Sequence, residues 1–424
     1  MLALASGCTG GSEEEPRAVA STSAAPAPVD LGDADARAES SVDEITLGVV
    51  VTLGSAPGEG EEWKEAAEGA RVAAYRYSRG EVAVTLDVRN DTGSSDGAVS
   101  VVRGLVDDGV AGIVMATAGA HMDDALRVAQ RAQVPVVLPF DAVPGAVADG
   151  GGVYSLAPSD QVAGETLASV LASRGLELPY VIDVGGGVPE GLEDYAERRV
   201  SPADDPAPLL RLVRQSVTRD GVDAVLLSGP PESQATLLVA LQGTTIDLPV
   251  LLTPDALSPA FSATLTEAEA PLSGDLTTVG ADNGDLGAMT AGPRGDALAA
   301  FFAALRAAVD DDAVTTFFDE QPFLEVAEDV DTRAHDAVVI LVEAARAADS
   351  TDPDAVLQAM QGLRLGDGAG LAGPAVDLGS PQVVPPSAVV PLQSTIDDPG
   401  LRPVDPDSPP RLHWFAVPDT ETGS

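Results

Sequence analysis

From Ile45 onward, short continuous apolar runs alternate with stretches of helical period, and this alternation restricts the possible folds more than any other feature of the chain. A run apolar on both faces must be buried on both faces, as a strand is in a parallel sheet covered by crossover helices. The first such run, Ile45 to Val51, ends in the loop Thr52 to Gly60, and Trp63 to Tyr77 then repeats Ala67, Ala70 and Ala74 at helical spacing. A second strand is predicted over Val82 to Val88, followed by the turn Asn90-Asp91-Thr92-Gly93 and a helix with Asp96 at its N-cap. That helix carries Val99, Val102, Leu105 and Val106 on one face. Strand Val110 to Ala116, helix Met122 to Gln133 and strand Val134 to Pro139 complete a β-α-β-α-β-α-β series. Right-handed crossovers wind such a series into one doubly wound lobe.

The pattern then repeats. Helices are predicted over Ser159 to Ser173, Glu190 to Arg199, Pro208 to Arg219 and Glu232 to Leu241, with strands over Tyr180 to Val184, Asp223 to Gly229 and Pro249 to Thr253. The expected fold class is therefore α/β, with two similar Rossmann-like doubly wound lobes. Amphipathic helices between Gly292 and Val309 and between Thr332 and Ala348, a shorter helix over Pro353 to Leu363, and strands near Ala388 to Leu392 and at His413 to Val417 follow. Thr395 to Pro410 is rich in Pro and Asp and reads as loop.

In open α/β sheets ligands bind outside the carboxyl ends of the strands. This confines a site to the loops Thr52 to Gly60, Arg89 to Gly93, Ala116 to His121, Phe140 to Gly145, Asp183 to Pro189, Ser228 to Glu232 and Thr253 to Leu257. No catalytic constellation assembles there. Gly368, Gly370 and Gly373 match GxGxxG, but they follow a helix, whereas a dinucleotide fingerprint follows a strand and opens a helix. Gly185-Gly186-Gly187 does follow a strand, yet Glu190 stands in the third glycine position, which leaves a flexible lobe loop. His121, His335 and His413 lack metal-ligand spacing, Lys64 follows no Gly-rich turn, and no GxSxG elbow is present. Neither an enzyme nor a metal or cofactor protein is expected.

Lys+Arg 23 against Asp+Glu 67 leave a net charge of −44, a field that repels phosphate backbones and excludes nucleic-acid binding. The single cysteine, Cys8, excludes an internal disulfide. Ala5-Ser6-Gly7 before Cys8 resembles the bacterial lipobox, at which a diacylglyceryl thioether would anchor the cleaved N-terminus. Residues 1–8 then read as a truncated signal, short of a charged n-region and a full apolar stretch; an incidental Cys near a frayed terminus is the other reading. Residues 9–44, rich in Ser, Ala, Pro, Glu and Asp and without an aromatic, read as a disordered linker. About 35 such residues would hold a domain roughly 30 Å from a membrane. No later apolar run is long enough to span a bilayer, so the membrane is expected to be met through the lipid anchor only.

A set of segments carries a family resemblance by their order and spacing: ITLGVVVTLG, EGARVAAYRYSRG (Glu68 to Gly80), AVSVVRGLVDDGVAGIV (Ala98 to Val114), AQVPVVLP (Ala132 to Pro139), VYSLAPSDQVAGETLASVLASRG (Val153 to Gly175) and AHDAVVILVEAARAADSTDPDAVLQAM (Ala334 to Met360), leading to Gly373-Pro374. Residues 45 to 392 thereby resemble the type I periplasmic binding proteins of the branched-chain amino acid (Leu/Ile/Val) receptor class. The resemblance implies two lobes joined by three hinge crossovers, near Pro158-Ser159, near Gly280-Ala281 and near Gly373 to Gly379. Lobe 1 would hold residues 45–158 and about 281–373, and lobe 2 residues 159–280 and about 374–418. It further implies a lipid-anchored receptor on the outer face of the cell membrane, handing an amino acid or related small polar solute to the permease subunits of an ABC importer.

A ligand set is implied as well. Thr117 and the backbone of Gly119 and Ala120 would meet the ligand carboxylate, with Gly119 standing where the family has Ser. Phe140, Asp141 and Ala142 form the next loop, where Asp141 would repel a carboxylate, so that it points away or the ligand differs. Asp255, in TPDA, matches the acid that holds the ligand ammonium, or is a turn residue after Pro254. Trp63 either covers the ligand or packs in the core. The tyrosines expected in the second lobe fall at Gly187-Val188 and Pro230-Pro231. These departures keep a second reading open, a degenerate ligand-binding-like domain serving as a protein-interaction or sensory module without amino acid binding.

Overall fold

The structure, a computed structural model, describes residues 40–193 and 206–416, apart from residues 81, 273, 274, 368 and 407. Cys8, nearly all of the linker, Val417 and most of the helix expected over Glu190 to Arg199 lie outside the described residues.

Five parallel strands build the first sheet: β1 (Glu44–Val51), β2 (Ala83–Asn90), β3 (Ile113–Met115), β4 (Val136–Leu138) and β5 (Val153–Ser155), in the order β2-β1-β3-β4-β5. Helices α1 (Gly69–Ser78), α2 (Ser95–Asp107), α3 (Asp123–Ala132) and the short α4 (Gly145–Ala148) connect them. The second sheet takes β6 (Pro179–Asp183), β7 (Ala224–Ser228), β8 (Val250–Leu252) and β9 (Leu276–Ala281) in parallel, linked by α6 (Ala207–Asp220), α7 (Pro231–Gln242) and α8 (Pro259–Glu267) and preceded by α5 (Asp160–Arg174). After β9 the chain returns to the first sheet with α9 (Pro293–Val309), α10 (Thr332–Ala348) and α11 (Pro353–Met360), and then a small hairpin of β10 (Arg364–Leu365) and β11 (Val376–Asp377). It finally crosses back, adding β12 (Val389–Thr395) antiparallel to β9 and β13 (His413–Ala416) antiparallel to β12. Two α/β lobes result, and three chain passages join them.

Each lobe has its own core. In the first, Leu47, Val49 and Val51 of β1 pack beneath α10, whose residues from Ala334 to Ala345 are all buried, so that its polar members need partners inside the core. In the second, Ile182, Val225, Leu227 and Leu252 meet Phe261 of α8.

The structure corrects several expected boundaries. Ser94, not Asp96, caps α2: its hydroxyl accepts from the Gly97 amide, and Asp96 falls in the first turn, where its charge complements the helix dipole. The single helix expected over Trp63 to Tyr77 is two 3₁₀ turns, Glu61–Trp63 and Ala66–Glu68, followed by α1. The carboxylates explain the break, since Glu61 accepts from the Gly54 and Ser55 amides and Glu62 from Gly60, tying this turn to the preceding loop. Strands β5 and β9 and helix α8 have no counterpart in the expected element list. Three residues of β5 give no readable period, and the Ser and Thr of α8 and β9 interrupt the apolar pattern.

A buried polar relay ties α1 to α10. Arg76 Nη1 donates to His335 Nε2 at 2.8 Å, and His335 Nδ1 lies 2.7 Å from Asp336 Oδ1. The two bonds together require the Nδ1–H tautomer. Asp336 also accepts from the Ala372 amide at 2.8 Å and the Gly373 amide at 2.7 Å.

Glu68 is buried a short way off, its Oε1 accepting from the Phe317 amide at 2.5 Å and its Oε2 facing Arg71 Nε at 3.4 Å. Burial outweighs both partners and pushes its carboxyl from an ordinary 4.5 up to about 7. The folded state therefore binds a proton that the unfolded state has released, so this group's contribution is lost as pH rises through about 7. Glu68→Gln, which keeps an acceptor for Phe317, is expected to raise the melting temperature at pH 8 more than at pH 5. Thermal unfolding of both proteins across that range checks it, and equal shifts at both pH values would refute the assignment.

Candidate functional site

A cavity of about 280 Å³ lies between the lobes where strands of both sheets end. Phe140, Asp141 and Ala142 reach it from the loop after β4, Gly186 to Glu190 from the loop after β6, Ser228 from the end of β7, and Thr253 to Asp255 from the loop after β8. Trp63, Asp160 and Arg333 complete the wall from the turn before α1 and the first turns of α5 and α10. A larger space of about 640 Å³ is lined by turn and helix residues of both lobes, such as Glu61, Lys64, Glu232 and Ala263, rather than by strand ends.

The apolar wall is a stack. Trp63 and Phe140 lie with ring centroids 4.6 Å apart and planes 7° from parallel. At 3% and 6% exposure these rings form the wall more than they cover a ligand. Arg333 Cζ sits 5.0 Å from each centroid, close enough for a cation–π attraction. Its guanidinium is bound to Asp331, through Nη2 to Oδ2 at 2.6 Å and Nε to Oδ1 at 3.1 Å. Burial alone would raise the Asp331 carboxyl; the Arg333 charge and hydrogen bonds hold it below its ordinary value.

Asp141 does not point away from the loop before α3: its Oδ2 accepts from the Gly119 amide at 2.9 Å. Burial raises its pKa, and the Gly119 and Ala142 amides offset only part of that rise. Thr117 is fully buried and committed elsewhere. Thr52 Oγ1 gives its hydrogen to Asp91 Oδ1 at 2.7 Å, so Thr117, 2.6 Å from Thr52 Oγ1, must donate to it. His121 Nε2 closes this chain on Asp91 Oδ2 at 2.9 Å. Gly60, at φ +105°, crosses directly over Thr117, and any side chain there would collide with the Thr117 hydroxyl. Of the eight ligand residues expected from the sequence, the structure brings Trp63, Phe140, Asp141, Ala142 and Asp255 together around the cavity; Thr117, Gly119 and Ala120 do not line it.

Asp255 faces the cavity. Thr253 Oγ1 donates to its Oδ2 at 2.8 Å, and Gln234 Nε2 in turn donates to Thr253 Oγ1 at 2.8 Å. Although Asp255 as a residue is exposed, desolvation by the protein atoms packed around its carboxyl, together with the nearby Asp141 and Asp160 charges, pushes its pKa up to about 6. The lobes also touch outside the cavity, where Ser258 Oγ donates to the Glu62 carbonyl at 2.6 Å. Among the charged wall residues, Asp160, Glu190, Glu193 and Arg333 are those that sequence reasoning missed. Asp331 at the N-cap marks the start of α10, but nothing local places that turn in the cleft.

A family model described as periplasmic binding protein matches residues 44–393. No curated protein matches the chain significantly. Among solved structures, an ABC transporter substrate-binding protein from Desulfitobacterium hafniense in complex with Leu is similar, at TM-score 0.60 and 18% identity, covering 88% of this chain and 100% of that one. A leucine binding protein from Thermotoga maritima gives TM-score 0.59 at 15% identity, covering 88% and 98%. The branched-chain amino acid transporter substrate binding protein of Streptococcus pneumoniae in complex with isoleucine gives TM-score 0.60 at 15% identity, covering 84% and 96%.

Proposed function

The chain belongs to the periplasmic binding protein family, and from that premise we propose that it is an extracytoplasmic receptor for a small polar solute, passing it to the permease of an ABC importer. The observation that carries this reading is the division of the cavity wall: Trp63, Phe140 and Asp141 come from the first lobe, and Ser228 and Asp255 from the second. A solute held by both halves stabilises the closed arrangement through contacts that the open one lacks. Cys8 supplies the lipid anchor in this proposal, and the linker after it sets the reach from the membrane. Leu and Ile, the ligands of the similar D. hafniense and S. pneumoniae proteins, make amino acids the first class to try. A second reading, a partner-binding module without a free solute, is favoured by one observation: Asp141 occupies the Gly119 amide on the loop where a carboxylate was expected.

A thermal-shift screen against amino acids, short amides, small organic acids and amines separates the two. A ligand present at 100 times its Kd adds about 2.7 kcal/mol to the folded state, which a melting curve resolves. A shift confined to one compound class identifies the solute class. A well-folded sample unmoved by the whole panel would overturn the receptor reading in favour of the module.

A further inference from the structure

We infer that the solute of this cleft is a small organic cation without a carboxylate, an amine whose apolar body lies against the Trp63–Phe140 wall. The inference rests on the receptor reading above and concerns the charge of the solute, since the lobe geometry already locates the site.

The first ground is the balance of charge in the wall. Among the described residues the cavity is lined by Asp141, Asp160, Glu190, Glu193 and Asp255 against the single guanidinium of Arg333. That guanidinium is spent on Asp331, which it grips through both Nε and Nη2. None of the five carboxylates has a described cationic side chain within ion-pair distance. A ligand carboxylate would enter a space of its own sign, whose one guanidinium already has its counter-charge in Asp331.

The second ground is the fate of the nearest backbone donors. The Gly119 amide, on the turn leading into α3, already holds Asp141 Oδ2, and the Ala142 amide also serves that side chain. The chain has filled with its own carboxylate the donors that an anionic group could have used. Asp255, on the opposite wall, receives one side-chain hydrogen bond among the described residues, from Thr253, and so keeps acceptor capacity toward the cavity.

The third ground is dispersion of the acids. No group of three or more described His, Cys, Asp or Glu converges closely enough to hold a metal ion. Acids spread over both walls beside a stacked aromatic pair suit an extended ammonium-bearing molecule, whose methylene groups meet the rings while its charge meets the acids. A space of about 280 Å³ suits a small molecule rather than a peptide or polymer.

Titration calorimetry of the full chain at neutral pH with compounds of one carbon skeleton isolates charge from shape: isoamylamine as the cation, leucine as the zwitterion and 4-methylpentanoate as the anion, with putrescine as a dication. At least one amine is expected to bind ten or more times tighter than leucine, and 4-methylpentanoate to give no binding heat. Asp141→Ala removes a wall charge and uncovers the Gly119 amide, so the ratio of amine to leucine affinity should fall at least tenfold. Asp141→Asn removes the charge while keeping an acceptor for Gly119, and gives the same direction if the Ala variant fails to fold. Leucine binding as tightly as either amine, or a ratio unmoved in both variants, overturns the cation assignment and leaves the receptor reading intact. No binding by any of the four compounds, together with a silent thermal-shift screen, overturns both.

Discussion

Replacing Asp336 by Ala is expected to lower the unfolding free energy by about 3 to 5 kcal/mol, the range for removing one partner from a buried charged network. The cost comes from what is left behind. Arg76 is 1% exposed, its charge disfavoured by burial and supported by Asp336, and its Nε finds no partner among the described residues. His335 between them is held neutral, because burial pushes its pKa down more than its bond to Asp336 raises it. The Ala variant leaves the guanidinium, still bonded to His335 and the Gly370 carbonyl, without the Asp336 charge, leaves the imidazole Nδ1–H unmet and releases the Ala372 and Gly373 amides, each a buried donor without an acceptor. Those two amides lie in the loop between β10 and β11, so the loss should also loosen that hairpin. Urea unfolding followed by far-UV circular dichroism measures the change, and a loss below about 1 kcal/mol would show that the relay contributes little net stability. Asp336→Asn, which keeps one acceptor, should fall between the variant and the parent.

The same residues show where sequence reasoning stops. Strands β1, β6 and β7 were readable because burial on both faces leaves a nearly unbroken apolar run, and α10 because Ala337, Val338, Ile340 and Leu341 recur at helical spacing. His335, for which the sequence shows only that it lacks metal-ligand spacing to another His, is the centre of the relay; its partner Arg76 lies 259 positions away, and no periodicity encodes that meeting. The site divides in the same way. Phe140 and Asp255 were accessible to reasoning because they fall in loops that strand ends in an α/β sheet mark out, whereas Trp63 was accessible only through the family resemblance. Arg333 was not, since it reaches the rim only after the chain has left the second sheet and come back. Nor was the Asp141 hydrogen bond to Gly119, although only 22 positions separate them, because the direction of a backbone amide is set by φ and ψ and not by residue type. Gly119 itself, at φ +115°, hints at an unusual turn but not at what its amide holds.

Asp255→Asn is expected to weaken the binding of any ammonium-bearing solute by roughly thirtyfold or more, since truncating one side of a covered charge pair costs about 2 kcal/mol at least. The pH dependence distinguishes this cause from lost packing. In the unliganded cleft Asp255 titrates at about 6, raised by its surroundings and by Asp141 and Asp160; Glu62 adds repulsion, Glu190 and Glu193 line the same cavity, and Arg333 across it is neutralised by Asp331. A cationic group placed beside the carboxylate favours its charged form, so binding lowers that pKa and releases a proton. Affinity should accordingly be full above about pH 7 and decline as pH falls through 6, by up to about tenfold per unit once the carboxyl is protonated. The Asn variant cannot titrate at this position, so its weaker affinity should lose the share of that slope which Asp255 supplies, leaving only what Asp141 contributes from its own raised pKa. Calorimetry in two buffers of different ionisation enthalpy would count the released proton directly. Equal affinity in parent and variant would remove Asp255 from the site, whereas a weakened variant with an unchanged pH slope would assign the titration to Asp141 instead.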